Sequence, residues 1–378
     1  MDHSSFDTLT RAIGSRRTRR TLAALLGAAA AAPVLGTLLE VPGLNDAADA
    51  KKNTDKKPRR YKQKRKLCLN GQQVKSKRKK RVRRWIRQGA TRGKCPTPNG
   101  CGSCPAGSIC VNGVCTPCTV TCSGDAATCG TALQSALTAG GTVYACPGTY
   151  GGNFTTNSVT VYGAGSGADA ASNTILDGQG TGRTLQVADN ATVSLISLRV
   201  TGGDAGSDTG GGINAGAGTI VSLTSCAVVS NAANNKNGGG GIYSALGTLT
   251  LTDTQVSQNT AGNGGGLRVS SGVGATLINC TISENVVQTS GGGLEVDDTT
   301  VSITGTAIDG NQAGQNGGGL FTNGDGTDVT FDSASSVTNN TATTSGSIYN
   351  NSVLGTVTLN GATVSGNTPN ACTNVPGC

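Results

Sequence analysis

The sequence predicts an all-β fold, a parallel β-helix in which one chain winds into a stack of short strands. Two observations predict it: asparagines recur every 26–29 residues, and an Ile or Leu that closes a glycine run recurs every 25–29 residues. A fixed period in this range indicates stacked supersecondary units. The asparagines are Asn231, Asn259, Asn285, Asn311, Asn340 and Asn367, and the closing residues are Ile213, Ile242, Leu267, Leu294, Leu320 and Ile348.

Each repeat has room for three strands. Hydrophobic and polar residues alternate over 294–296 and 301–303, and a further pair, Thr306 and Ile308, leads into Asn311. That period of two is typical of strands whose alternate side chains point inward. Three strands and three turns make one coil, and equivalent residues of successive coils stack roughly 4.8 Å apart. The asparagines fall in a turn, where stacked buried amides can hydrogen-bond along the axis.

The region 131–371 resembles right-handed parallel β-helix proteins of the pectate-lyase-like class. Residues 131–137 resemble their capping helix, and residues 142–150 and 174–178 resemble their first coils. Residues 282–294 also resemble the repeats of chlamydial polymorphic outer-membrane proteins, with Val or Ile where those carry an aromatic residue. The resemblance implies a right-handed, single-stranded solenoid of roughly 8–9 coils. It implies little about activity, because this fold hosts lyases, hydrolases, esterases and adhesins.

Residues 1–50 have the pattern of an export signal. Arg19 and Arg20 precede a weakly apolar run over 22–39, which resembles a twin-arginine signal, and an Ala-Asp-Ala sequence offers a cleavage site at its end. A retained membrane anchor is the alternative, although Pro33 makes the run a poor spanning helix. We therefore expect a prokaryotic protein that is exported to the cell surface or the extracellular space.

Charge is segregated along the chain. Residues 51–94 hold 21 Lys and Arg and one acid, Asp55, whereas residues 95–378 hold 4 basic and 15 acidic residues. Such a basic block is typical of a solvated tail. The alternative is an electrostatic tether to anionic envelope polymers or lipid headgroups, with Trp85 and Ile86 as apolar contacts. We expect no nucleic-acid partner, because the block lacks an aromatic platform.

The cysteines predict a disulfide-stapled segment at 95–130. Of 14 cysteines, eight lie between Cys95 and Cys129. Two CxxC pairs among them leave zinc binding open, but disulfides suit an exported chain. Cys372 and Cys378 are expected to close a small loop after the last coil.

Two further pairs of cysteines have different expected fates. The segment bounded by Cys68 and Cys95 resembles a short bacterial module, which implies a disulfide between them. Cys226 and Cys280 lie in one inward column with Thr254 between them. Two coils separate these thiols by roughly 9.6 Å, beyond the roughly 7 Å Cα limit for a disulfide. We therefore expect both to be buried free thiols.

The residue types that are missing restrict the chemistry. The only histidine is His3, within the predicted signal, so the expected mature chain has none. That excludes Ser-His-Asp and Cys-His nucleophilic catalysis and histidine metal sites. Motifs of polygalacturonase-like hydrolases and pectin methylesterases are also absent. No cofactor is required by what remains, and calcium is the one that the sequence leaves open.

One outward column, next to the stacked Ile and Leu residues, is the candidate site. The period predicts that Tyr243, Phe321 and Tyr349 are exposed along it. Exposed aromatic residues spaced along a rod suit stacking against sugar rings. Asn323 and Asn351 point outward two positions further along their strands. These five residues are the predicted ligand-binding set.

The same face carries a charged cluster on neighbouring coils: Arg268, Glu295 and Asp297. This trio would suit a calcium-assisted lyase that removes the C5 proton of a uronate. Arg268 would act as the base, and Glu295 with Asp297 would hold the metal. The alternative is that these residues only solvate the face of a strand.

The sequence favours an exported cell-surface or extracellular β-helix protein that binds a polysaccharide or has a structural role. A calcium-dependent polysaccharide lyase acting on a uronate polymer is the first alternative. An adhesin similar to the chlamydial proteins is the second. The sequence does not predict the oligomeric state.

Overall fold

The computed structural model describes residues 60–69, 72–78, 91–92, 101, 103–234, 238–272, 274–370 and 372–378. The chain divides into two compact units, Met1–Lys94 and Cys95–Cys378. The predicted signal lies outside the described residues, and so does Cys95, one of the two partners in the predicted Cys68–Cys95 disulfide. In the first unit, an antiparallel sheet with the order β2-β1-β3 contains β1 (Arg60–Leu69), β2 (Gln72–Arg78) and β3 (Thr91–Arg92).

The second unit begins with a disulfide-bonded hairpin of β4 (Ser108–Val111) and β5 (Val114–Pro117). The CxxC cysteines are in disulfides, so they leave no free thiolates for the zinc site that the sequence left open. Disulfides also join this segment to the first coil. The four bonds are Cys101–Cys110, Cys104–Cys115, Cys118–Cys146 and Cys122–Cys129.

Helix α1 (Ala126–Ala139) closes the N-terminal end of the solenoid. The Thr128 N–H donates to the Asp125 carboxylate at 2.8 Å and caps the start of the helix, and Gly140 ends it with a φ of 73°. The helix predicted at 131–137 therefore starts earlier, because Asp125 supplies the cap. No helix among the described residues is long and apolar enough to cross a membrane. The face of α1 that packs on the first turn contains Cys129, Gly130, Leu133 and Leu137.

The remainder of the second unit is a parallel β-solenoid of about eight turns, with nine strands in each of three sheets. Sheet A contains β6 (Gly141–Tyr144), β9 (Val159–Tyr162), β12 (Thr192–Ile196), β15 (Ile220–Thr224), β19 (Thr248–Thr252), β23 (Gly274–Ile278), β27 (Thr300–Thr304), β31 (Asp328–Phe331) and β34 (Thr356–Thr358). Sheet B contains β7 (Gly148–Gly151), β10 (Thr174–Asp177), β13 (Arg199–Thr201), β16 (Ala227–Val229), β20 (Gln255–Ser257), β24 (Thr281–Ser283), β28 (Ala307–Asp309), β32 (Ser336–Thr338) and β35 (Thr363–Ser365).

Sheet C completes each turn and carries the candidate site. It contains β8 (Phe154–Thr156), β11 (Leu185–Val187), β14 (Ile213–Ala215), β18 (Ile242–Ala245), β22 (Leu267–Ser270), β26 (Leu294–Asp297), β30 (Leu320–Asn323), β33 (Ile348–Asn350) and β36 (Cys372–Thr373). A short sheet D lies between sheets B and C and contains β17 (Ala232–Ala233), β21 (Thr260–Ala261), β25 (Val286–Val287) and β29 (Gln312–Ala313).

The core consists of aligned hydrophobic columns inside the solenoid. Ile242 is paired with Leu267, and Leu267 with Leu294, in the register that the period predicts. In sheet B, Val256 is paired with Ile282 in the same way. All five side chains are fully buried. The predicted all-β parallel solenoid is therefore confirmed, and about eight turns agree with the expected number of coils.

The six repeating asparagines form a buried ladder just after the strands of sheet B. The backbone N–H and the side-chain amide of Asn231 both donate to Asn259 Oδ1, each at 3.0 Å. Asn259 Nδ2 in turn donates to the Val228 carbonyl at 3.0 Å. The same pattern continues to Asn367 at the C-terminal end. Each amide thus satisfies backbone and side-chain groups of neighbouring turns, which a buried polar residue requires.

The cysteines of the solenoid have two different roles. Cys226 and Cys280 are buried free thiols, as predicted. The Cys226 N–H donates to Thr254 Oγ1 at 3.3 Å, which places Thr254 on the turn between the two thiols. Burial raises the pKa of Cys226 to about 12. Cys372 is bonded to Cys378 and lies in β36, so the predicted C-terminal loop begins inside the last strand of sheet C.

Candidate functional site

The outward residues of sheet C form a continuous column along the solenoid. Tyr243 is paired in register with Arg268, and Arg268 with Glu295. Glu295 is paired with Phe321, and Phe321 with Tyr349. Each of these residues directly follows a buried Ile or Leu, so the alternation of the strand turns it outward. The structure therefore brings the predicted aromatic and charged residues onto one face.

The two charged residues of this column are buried, in contrast to the exposed face that the sequence predicted. Arg268 is 8% exposed and Glu295 is 3% exposed. The chain before each strand of sheet C folds back over the column through glycines with positive φ. A Cβ on Gly264 would lie 2.8 Å from Arg268 Cβ, and a Cβ on Gly291 would lie 2.9 Å from Glu295 Cβ. Only glycine permits this close approach of the preceding chain to the column.

Arg268 bridges two carboxylates. Its Nη1 lies 3.3 Å from Glu295 Oε1, and its Nη2 lies 3.2 Å from Asp297 Oδ2. Glu295 Oε2 has no hydrogen-bond partner among the described residues. Burial raises the pKa of Glu295 to about 7, because desolvation outweighs the attraction of Arg268, and Asp297 raises it further. When both carboxyl groups are ionised, the cluster carries an excess of negative charge.

A row of polar side chains continues from this cluster towards the C-terminus. Asn323 Nδ2 donates to Asp297 Oδ1 at 3.1 Å, and Asn351 Nδ2 donates to Asn323 Oδ1 at 2.9 Å. We call these three residues the amide lane. Asp297 and Asn323 are half-buried, and Asn351 is exposed. Asn351 also lines a cavity of about 820 Å³ at the C-terminal end of the solenoid. The lane thus leads from a buried charged cluster to an open concavity.

Phe321 and Tyr349 are stacked beside the amide lane. Their ring centroids are 5.8 Å apart, and the ring planes are inclined by 20°. Both side chains are half-buried, so part of each ring faces solvent. We call them the aromatic pair. Tyr243 lies on the other side of the charged residues in the column, so the structure separates it from the other two aromatic residues.

Sequence reasoning missed a second stacked pair. Tyr144 and Tyr162 lie on the outer face of sheet A, with ring centroids 5.4 Å apart and an interplanar angle of 24°. The signal was present, because each tyrosine ends a Thr-Val-Tyr sequence, at 142–144 and 160–162. The first coils lack the asparagine period, so the two tyrosines were not aligned with each other.

The geometry does not favour the lyase roles expected for the charged cluster. A base must accept a proton, but the Arg268 guanidinium faces two carboxylates, and arginine is effectively always protonated. Glu295 and Asp297 each direct one oxygen to Arg268, so a calcium ion would compete with the guanidinium for both ligands. The cluster is better suited to fixing the shape and charge of the face than to removing a proton.

No protein-family profile matches the chain, and neither curated proteins nor solved structures show significant similarity to it. The resemblances to pectate-lyase-like and chlamydial repeat proteins therefore stay predictions from sequence motifs. The assignment of the parallel β-solenoid rests on the observed strand pairing.

Proposed function

We propose that this protein is an exported polysaccharide-binding protein whose ligand lies along the outer face of sheet C. The observation that carries the proposal is the aromatic pair next to the amide lane on one outward surface. Aromatic rings offer flat apolar faces to sugar rings, and amides both donate to and accept from hydroxyl groups. The two features run parallel to the solenoid axis, as an extended polymer requires.

Export and surface attachment belong to the same proposal. The twin-arginine-like segment at 1–50 directs the chain out of the cytoplasm, and the disulfides of the second unit suit an oxidising compartment. The basic block at 51–94 then tethers the protein to anionic envelope polymers or lipid headgroups. The polysaccharide lyase and the adhesin are the alternatives, and no contact in the described residues favours either over binding.

Phe321→Ala and Tyr349→Ala test the role of the aromatic pair. We expect each to weaken binding of the full chain to its polysaccharide about tenfold or more, because each removes a stacking face worth roughly 1–3 kcal/mol by analogy with stacked nucleobases. The measurement is affinity electrophoresis or calorimetry after a glycan panel has selected a ligand. Tyr162→Ala is the matched control, since it disrupts the other stacked pair on sheet A and should leave the affinity unchanged.

Three outcomes would count against the proposal. Equal losses of affinity in Tyr162→Ala and Phe321→Ala would contradict the placement of the ligand on sheet C. No binding of the folded protein to any polysaccharide, with binding to host or neighbouring-cell proteins, would favour the adhesin. A calcium-dependent rise in ultraviolet absorbance from unsaturated uronate product would replace binding with lyase activity.

A further inference from the structure

We infer that the ligand of the sheet C face carries protonated amines, as in a polymer of glucosamine units. The inference rests on the proposed polysaccharide-binding function and adds the charge of the ligand to it. Four groups of observations support it: the exposed carboxylates, the ion pairing and location of the basic residues, the buried charged cluster and the aromatic pair.

Three carboxylates lie in or next to the amide lane, near the ends of β26 and β30. Asp297 is in the lane itself, and Asp298 and Asp325 are exposed next to it. Asp298 Oδ1 accepts from the Gly326 N–H of the next turn at 3.2 Å, and Asp325 Oδ1 accepts from Ser352 Oγ at 3.3 Å. These bonds hold the two exposed carboxylates against the next turn, so negative charge is present on two neighbouring turns, which are roughly 4.8 Å apart.

The described part of this face offers no exposed cation that would recognise a uronate or sulfate. The Arg268 side chain is only 10% exposed and is ion-paired with two carboxylates. Arg183 is paired with Asp208 at 3.1 Å, and Arg199 lies in sheet B. The remaining basic residue of the second unit, Lys236, lies outside the described residues. With 4 basic and 15 acidic residues over 95–378, this unit repels a polyanion and attracts a polycation.

The buried cluster adds a second, independent indication. Glu295 is almost fully buried, and its Oε2 has no hydrogen-bond partner among the described residues. Two carboxyl groups share one guanidinium in the cluster, so Arg268 cannot neutralise both when they are ionised. When Glu295 is ionised, the uncompensated charge adjoins Asp297, which is the first residue of the amide lane. An ammonium group of a ligand at the amide lane would therefore be attracted by this negative charge.

The aromatic pair is also suited to an amine-bearing ligand. Aromatic ring faces carry partial negative charge and attract ammonium groups within about 6 Å of the ring centroid. An ammonium group has three donors and no acceptor, whereas the neighbouring carboxylates only accept. Phe321 and Tyr349 therefore suit both the sugar ring and its amine, and Asp298 and Asp325 suit the amine.

The experiment compares two probes with the full chain: a β-linked glucosamine polymer and the same polymer fully N-acetylated. A polyuronate is left out, because the basic block at 51–94 would bind it. We expect the amine form to bind at least tenfold more tightly than the acetylated form at about 0.15 M salt. We also expect this preference to disappear at about 1 M salt, where exposed charges are screened.

The double variant Asp298→Asn, Asp325→Asn separates charge from fold. It should lower affinity for the amine polymer about tenfold and leave any weak binding of the acetylated polymer unchanged. Asp253→Asn is the matched control, because it removes an exposed carboxylate from a turn that is not in sheet C. Phe321→Ala should weaken both forms, since both present a sugar ring to the aromatic pair.

The outcomes distinguish this inference from the proposed function. Binding of the acetylated polymer as tightly as the amine form would overturn the amine assignment and leave polysaccharide binding intact. Polylysine that binds equally well, without loss in Phe321→Ala, would overturn the sugar component. Absence of binding to all polymers would overturn both.

Discussion

Glu295 is an outward-pointing side chain that the neighbouring turns nevertheless bury. The alternation along β26 predicts its direction correctly, but alternation contains no information on what covers the outer face. A Cβ on Gly291 would lie 2.9 Å from the Glu295 Cβ, and Arg268 of the preceding turn lies 3.3 Å from the Glu295 carboxylate. From the sequence, the glycine run indicated only a corner. Exposure at this position therefore depends on contacts between turns, which no local pattern encodes.

The Glu295 carboxyl group makes stability depend on pH. Its pKa is about 7 in the folded protein, against 4.5 for the free group. Between these values the folded state holds a proton that the unfolded state has lost, so stability is greatest below about 4.5 and falls as the pH rises through about 7. The full loss is on the order of 3 kcal/mol.

Urea denaturation at a series of pH values checks this dependence. Glu295→Gln should be less sensitive to pH than the wild type in this window, because glutamine does not titrate. Glu284→Gln is the control, since Glu284 makes a hydrogen bond with Gln258 at the surface, and it should follow the wild-type profile. Parallel profiles for wild type and Glu295→Gln would contradict the assignment.

Among the elements, the asparagine ladder is the feature that the sequence predicted most completely. The asparagines are identical and nearly equally spaced, and an amide can donate and accept in both directions along the axis. The strands of sheets B and C follow from the same period. Sheet D was not predicted, because strands of two residues such as β25 are too short to show alternation.

Asn285→Ala should destabilise the protein by roughly 1–3 kcal/mol. The substitution leaves the Asn259 N–H and side-chain amide without their shared acceptor, and it removes the donor to the Val256 carbonyl. Thermal or chemical denaturation measures the loss. Gln312→Ala is the control, because that exposed side chain is outside the ladder. Equal stability of the two variants would mean that water replaces the lost bonds.

On the scale of the whole molecule, the two ends of the solenoid differ. Helix α1 covers the first turn with Leu133 and Leu137, and two disulfides fix the chain around it. At the other end, residues 333–378 contain no Asp, Glu, Lys, Arg or His. The sequence predicted an N-terminal cap and a C-terminal disulfide, but it did not predict this difference. The difference becomes visible only when the two ends, which are distant in the chain, are compared in charge and in the elements that cover them.

Leu133→Ala should open the N-terminal end. Leu133 is fully buried, so the substitution costs roughly 2–5 kcal/mol, and a loosened helix uncovers strand edges that can pair with other molecules. We expect a lower Tm together with self-association in sedimentation velocity. Ser135→Ala, on the exposed side of the same helix, is the control. A monomeric variant with wild-type Tm would show that α1 is dispensable as a cap.

Because the turns stack at equal spacing, the length of the solenoid changes by one turn at a time. Excision of residues 242–266 would remove one turn, bring Ile213 against Leu267 and let Asn231 bond to Asn285. The aromatic pair would then lie roughly 4.8 Å closer to α1, with its own surroundings unaltered. Gene duplication or loss of single repeats can therefore change the distance between the proposed binding face and the disulfide-bonded N-terminal end without altering the residues of that face.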